Sequence, residues 1–151
     1  LSSSSAASDV YKRQLKDTTG STVGTNVANV GSVVMAQSAV LDIIGADALN
    51  QQVAVVPANS QIVDVILNVT TVNNDSGTAT VAVGTSADGD AFISATNVKA
   101  LATTHGTLDT EATDVGTTDI YVYADFVAGT EDGSTGAATA TVLYIQNNNL
   151  S

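Results

Sequence analysis

The chain has 151 residues, 44% of them hydrophobic but only 4% aromatic, with no cysteine and no tryptophan. Its 15 acidic residues outweigh 4 basic ones, for a net charge of −11. The missing thiols exclude disulfides, thiolate zinc sites and cysteine nucleophiles. Lys12, Arg13 and Lys16 lie together near the start and only Lys99 follows, so no basic patch exists for nucleic acid or an anionic membrane.

The length suits one domain with a real core. Its apolar residues are mostly Val, Ala, Ile and Leu, among many Thr, Gly and Asn. β-branched residues fit a pleated, half-buried surface, so the mixture favours sheet over helix. No apolar run reaches the roughly 18 residues that would span a bilayer as a helix.

Residues 1–14, Leu-Ser-Ser-Ser-Ser-Ala-Ala-Ser-Asp-Val-Tyr-Lys-Arg-Gln, show no periodicity. They resemble a translated sequencing adapter, which would make them an artefact with the true start missing; otherwise they are a disordered serine-rich tail. Residues 15–31 are polar and read as an extended N-terminal arm, followed by a sandwich domain over 32–146. The apolar residues of Ser32 to Ile44 suit a strand pair, or one turn of helix around Met35 to Leu41. Gly45 to Asn50 reads as a turn, and Gln52 to Val56 as a short strand stopped by Pro57.

Gln61 to Val72 is the clearest strand. Val63, Val65, Leu67 and Val69 form one face, expected in the core. Ile62, Asp64, Ile66, Asn68 and Thr70 form a mixed face. Asn73-Asn-Asp-Ser-Gly is the following loop, and Thr78 to Val83 is a strand with Ala79, Val81 and Val83 together. The grammar is that of strands paired through tight turns. A further strand begins at Phe92, and Asn97 to Ala102 is a helical turn or another edge. Thr103 to Gly116 reads as an irregular polar segment. Asp119 to Val127 is a strand with Ile120, Val122, Ala124 and Phe126 opposite Tyr121, Tyr123 and Asp125. Ala137 to Gln146 closes the domain, and 147–151 is a polar tail. About seven or eight strands without a long helical pattern predict an all-β antiparallel sandwich, because two packed sheets bury both apolar faces. Jelly-roll and immunoglobulin-like orders remain open.

Chemistry is sparse. Asp88-Gly-Asp90 offers two carboxylates for calcium, with Asp109, Glu111 and Asp114 as a second cluster, but the calcium-hand spacing is missing and Asp-Gly-Asp is turn language. A glycosidase pair would need facing carboxylates and usually aromatic platforms. His105 sits among Thr103, Thr104, Gly106 and Thr107 and reads as an exposed loop residue; no Gly-x-Ser-x-Gly elbow accompanies it. No phosphate loop is present. Neither a catalytic residue, a cofactor site nor a metal site is expected. Tyr121 and Tyr123 share a strand face, with Tyr144 elsewhere, and suit the core or a subunit interface before a ligand.

Four stretches in order carry a resemblance: Val33-Val-Met-Ala-Gln-Ser, Val56-Pro-Ala-Asn-Ser-Gln-Ile-Val-Asp-Val, Val83-Gly-Thr-Ser-Ala-Asp-Gly-Asp-Ala-Phe and Ala140-Thr-Val-Leu-Tyr-Ile-Gln. Together they resemble a family of small structural proteins of tailed, often marine, bacteriophages. The resemblance implies a non-enzymatic virion component, a capsid decoration or cement protein on the capsid surface. Its partner would be the major capsid protein and its state a homotrimer. A tail or fibre module that binds a receptor or glycan is the alternative. Partner-contact candidates are Lys16, Asp17, Thr22 and Asn26 in the arm, and Tyr121 and Tyr123 on the domain.

Overall fold

Alternation along the sequence becomes eight strands: β1 (Val34–Leu41), β2 (Ala48–Val56), β3 (Ser60–Thr71), β4 (Ala79–Thr85), β5 (Ile93–Asn97), β6 (Ala102–His105), β7 (Ile120–Ala128) and β8 (Ala137–Gln146). The computed structural model describes residues 33–109 and 115–146. The expected arm and both tails lie outside them. The strands form two four-stranded sheets, in the orders β1-β8-β3-β6 and β2-β7-β4-β5. Every pairing is antiparallel, and no helix occurs among the described residues.

These orders settle the open topology: they are those of an eight-stranded jelly roll. The chain changes sheet at every connection except β4 to β5. Strands paired through tight turns therefore describe only that hairpin. The loop after β3, read from its residues as a turn between neighbours, carries the chain from one sheet to the other.

Inward side chains of both sheets fill the space between them. Phe92, Phe126, Ile43, Ile62, Leu67 and Val56 are among its largest fully buried members. Ile43 and Val98 come from connections, each completely buried, and plug the same end of the sandwich.

Four local readings change. The region before Ile44 holds one strand, β1, and neither a pair nor a helical turn. β2 begins at Ala48, inside the expected turn, because register shifts between Ala48 and Gln51 and between Gln52 and Ala54 let an irregular sequence stay paired. β5 ends at Asn97 and β6 starts at Ala102, so no helical turn lies between them and His105 is a strand residue. In β3, Val65, Leu67 and Val69 face the core as expected, but Val63 is 45% exposed while Ile62 is 1% exposed. The pairing jumps from Ile62↔Tyr144 to Asp64↔Leu143. Val63 is thus the extra residue of a bulge, and side chains before it swap faces.

Glutamine side chains close the side of the sandwich where β1 and β2 meet. The Gln37 amide donates to the Val55 carbonyl at 2.7 Å and accepts from the Val55 N–H at 3.1 Å. It also donates to the Tyr144 hydroxyl at 2.9 Å. Gln51 does the same for Asp42, accepting from its N–H at 2.6 Å and donating to its carbonyl at 2.8 Å. Each amide presents both a donor and an acceptor to backbone that has no strand partner on that side.

Candidate functional site

Asn and Asp hydrogen-bond backbone two residues on, so runs of them build compact loops. Asn73-Asn-Asp-Ser-Gly does this at the end of the sandwich where β3 crosses to β4. Asn73 Oδ1 accepts from the Asp75 N–H at 2.7 Å, and Asp75 Oδ1 from the Gly77 N–H at 2.7 Å. The loop then locks onto the β7–β8 connection. Asp75 accepts from Thr130 Oγ1 at 2.8 Å, the Thr130 N–H at 3.3 Å and the Asp132 N–H at 3.2 Å. Asn74 Oδ1 takes the N–H groups of Ser134 and Thr135, and Asp132 takes that of Ser76. Asn73 and Asp75 are 2% and 1% exposed. Burial by itself pushes the Asp75 carboxyl up, but bonds from the Thr130 hydroxyl and the Gly77, Asp132 and Thr130 N–H groups outweigh it and hold its pKa below 3.8.

Carboxylates serve the same purpose elsewhere. Asp47 accepts from the Ala128 N–H at 2.8 Å, Asp119 from Ala58 at 2.9 Å and Asp125 from Asn50 at 2.6 Å. These carboxylates thus take up backbone donors that the sheets leave unpaired, in a connection, at the end of β7 and at the irregularity in β2. The sequence signal was present in the Asn and Asp content of the loops; what it lacked was the distant partner of each side chain.

Asp88 and Asp90 lie in the exposed β4–β5 hairpin turn. There the Asp88 carbonyl accepts from the Thr85 N–H at 2.7 Å and its own N–H donates to Thr85 Oγ1 at 3.2 Å. The turn folds back so closely that a β-carbon at Gly84 would run into Asp88 and Gly89. No group of three or more His, Asp or Glu suited to a metal occurs among the described residues. Asp109 is described and exposed; Glu111 and Asp114 lie outside the described residues, as do Lys16, Asp17, Thr22 and Asn26.

Tyr121 and Tyr123 do share a face, the outer face of the second sheet, where Tyr121 is 47% exposed and Tyr123 is half-buried beside Gln52 and Gly84. Tyr144 is separate, buried in the other sheet. His105 is not a free loop residue: its Nδ1 lies 2.6 Å from Asp64 Oδ2 on the outer face of the first sheet. An open groove of about 390 Å³ is lined by Gly77, Thr78, Ala79, Thr80, Asn97 and Lys99. Its one charged group, Lys99 Nζ, donates to the Gly77 carbonyl at 2.6 Å.

No protein-family model matches the chain, and no curated protein does. Solved structures do. A chain in the acidic stable capsid structure of Helicobacter pylori bacteriophage KHP30 superposes with a TM-score of 0.58 at 17% identity, covering 76% of this chain and 88% of that one. A chain in the capsid of Ralstonia phage GP4 gives 0.58 at 21% identity, covering 79% and 86%. One in the cyanophage Pam1 capsid gives 0.53 at 19% identity, covering 76% and 86%. The shared property is the fold: each of these chains is matched over most of its length by this eight-stranded sandwich.

Proposed function

We propose that this chain is a non-enzymatic structural protein of a bacteriophage virion, and that it decorates the capsid surface as a cement protein bound to the major capsid protein. The observation that supports it is the near end-to-end agreement in fold with chains of three phage capsids. The resemblance carried by four sequence stretches points the same way by a separate route. A cement protein needs no reaction centre. It binds the assembled shell and not its dispersed subunits, so binding free energy adds directly to the stability of the shell.

Copy number tests this. Virions of the phage that encodes the chain are purified and its amount relative to the major capsid protein is measured by quantitative mass spectrometry. Decoration requires a copy number that scales with the capsid lattice. A handful of copies per particle would favour a tail or fibre position, for which the exposed Tyr121 and Tyr123 face is the natural binding surface. Absence from the particle would overturn the virion role.

A further inference from the structure

An aspartate followed by glycine can rearrange without an enzyme. The glycine amide nitrogen attacks the aspartyl Cγ, and a succinimide ring closes with loss of one water. A second water then opens the ring at either carbonyl. Opening at the α-carbonyl leaves isoaspartate, in which the main chain runs through the former side chain and the α-carboxylate is free. Water leaves and water returns, so no other reactant is needed. Ring closure requires the amide nitrogen and the carboxyl carbon to meet in one geometry. A fold therefore governs the reaction by what holds those two groups.

The chain has two Asp-Gly pairs, Asp88-Gly89 and Asp132-Gly133, and no Asn-Gly pair. The fold treats the two differently. Asp132 is tied on both sides: its Oδ1 accepts from the Ser76 N–H at 2.7 Å, and its own N–H donates to Asp75 Oδ2 at 3.2 Å. Gly133 is buried, so close to Asn73 that a β-carbon would come within 3.1 Å of its Nδ2. Asp88 and Gly89 are both exposed, in the β4–β5 hairpin turn. The bonds of that turn use only the main chain of Asp88. Its carbonyl accepts from the Thr85 and Ala91 N–H groups, and its N–H donates to Thr85 Oγ1. Among the described residues nothing donates to the Asp88 carboxylate, and the Gly89 N–H has no acceptor.

We propose that Asp88-Gly89 is a site of spontaneous isoaspartate formation in the folded protein, and that the loop contacts of Asp132-Gly133 suppress the same reaction there. Neither reacting group at Asp88-Gly89 gives up a hydrogen bond when the ring closes. At Asp132 a bond to the carboxylate must open first, which slows closure by about tenfold or more. The product also suits its surroundings. The carbonyl that now accepts from Thr85 and Ala91 becomes a free carboxylate, a stronger acceptor for the same two donors. Isoaspartate adds one main-chain carbon to a turn packed against Gly84, the neighbour of Tyr123 across the sheet. Modified copies thus differ at the rim of the face that carries Tyr121 and Tyr123. The site goes beyond the virion role and does not depend on it, because the purified chain alone tests it.

The full chain is held at neutral pH and physiological temperature, and isoaspartate is located over time by mass spectrometry with electron-transfer fragmentation, which separates it from aspartate. A parallel incubation in guanidinium chloride removes the fold. In the folded chain isoaspartate should build up at position 88 at least about tenfold faster than at position 132. In the unfolded chain the two rates should converge, because both pairs are Asp-Gly. Asp88→Glu, whose longer side chain disfavours the ring, should leave position 88 unmodified. Equal rates at the two positions in the folded chain, a folded chain that forms no isoaspartate at position 88 while the unfolded chain does, or a difference that persists undiminished in guanidinium chloride would each overturn the proposal.

Discussion

Asn73 and Asn74 are adjacent, of the same type and in the same loop, yet their removal should have very different effects. The Asn73 side chain is buried and donates to the Ile43 carbonyl at 2.7 Å while accepting from the Asp75 N–H at 2.7 Å. Asn73→Ala deletes both bonds and strands a carbonyl and an N–H where water does not reach. Two net bonds at about 1 kcal/mol each, plus an orphaned buried partner at about 1–2, predict a loss of about 3–4 kcal/mol. For a chain of this size that lowers the thermal midpoint by about 5–15 °C. Asn74 bonds Ser134 and Thr135 at an exposed position, where water replaces the lost partner, so Asn74→Ala should cost about 1 kcal/mol or less. Urea unfolding followed by far-UV circular dichroism measures both. Equal losses from the two variants, or a loss below about 0.5 kcal/mol for Asn73→Ala, would refute the idea that burial and not hydrogen-bond count governs this loop.

The Asp75 pKa is lowered in the folded chain, so its contribution to stability is complete above its ordinary value of 3.8 and disappears as pH falls through the lowered folded value. The urea midpoint of the wild type should therefore drop on acidification below about pH 4, and Asp75→Asn should flatten that drop; an unchanged slope in the variant counts against the assignment. Gly84→Ala should cost about 1–3 kcal/mol, because its β-carbon meets hairpin backbone and not a movable side chain. The bulge predicts an inversion of the sequence pattern: Ile62→Thr should cost about 2 kcal/mol while Val63→Thr stays within about 0.5 by chemical denaturation.

What alternation controls was legible in the sequence. β4, β7 and the second half of β3 carry uninterrupted period-two patterns, and their core faces were read correctly as Ala79, Val81 and Val83, as Val122, Ala124 and Phe126, and as Val65, Leu67 and Val69. The pattern failed at Val63, because a bulge is a property of two strands together and only one is visible in a local window. Topology stayed open between two orders for a related reason. Asn73-Asn-Asp-Ser-Gly and Ser86-Ala-Asp-Gly-Asp use the same turn residues, yet the first crosses between sheets and the second closes a hairpin. What separates them is whether Asn73 and Asp75 find partners at Ile43 and Thr130, some 30 and 55 positions away. The pairing of His105 with Asp64 was hidden likewise: 41 positions separate them, and only the β3–β6 register brings them together. Tyr121 and Tyr123 were recognisable as a shared surface because both lie on one strand.

The last strand of the sandwich, β8, is not an edge but the partner of both β1 and β3. A ribosome therefore delivers the first strand long before the one that holds it in place. Until β8 emerges, β1 has no neighbour in its sheet and β3 has an open side, both lined with apolar residues. Closure at such sequence separation is slow and leaves strand edges exposed to other nascent chains. A chain cut short before Ala137 lacks the strand that joins β1 to β3.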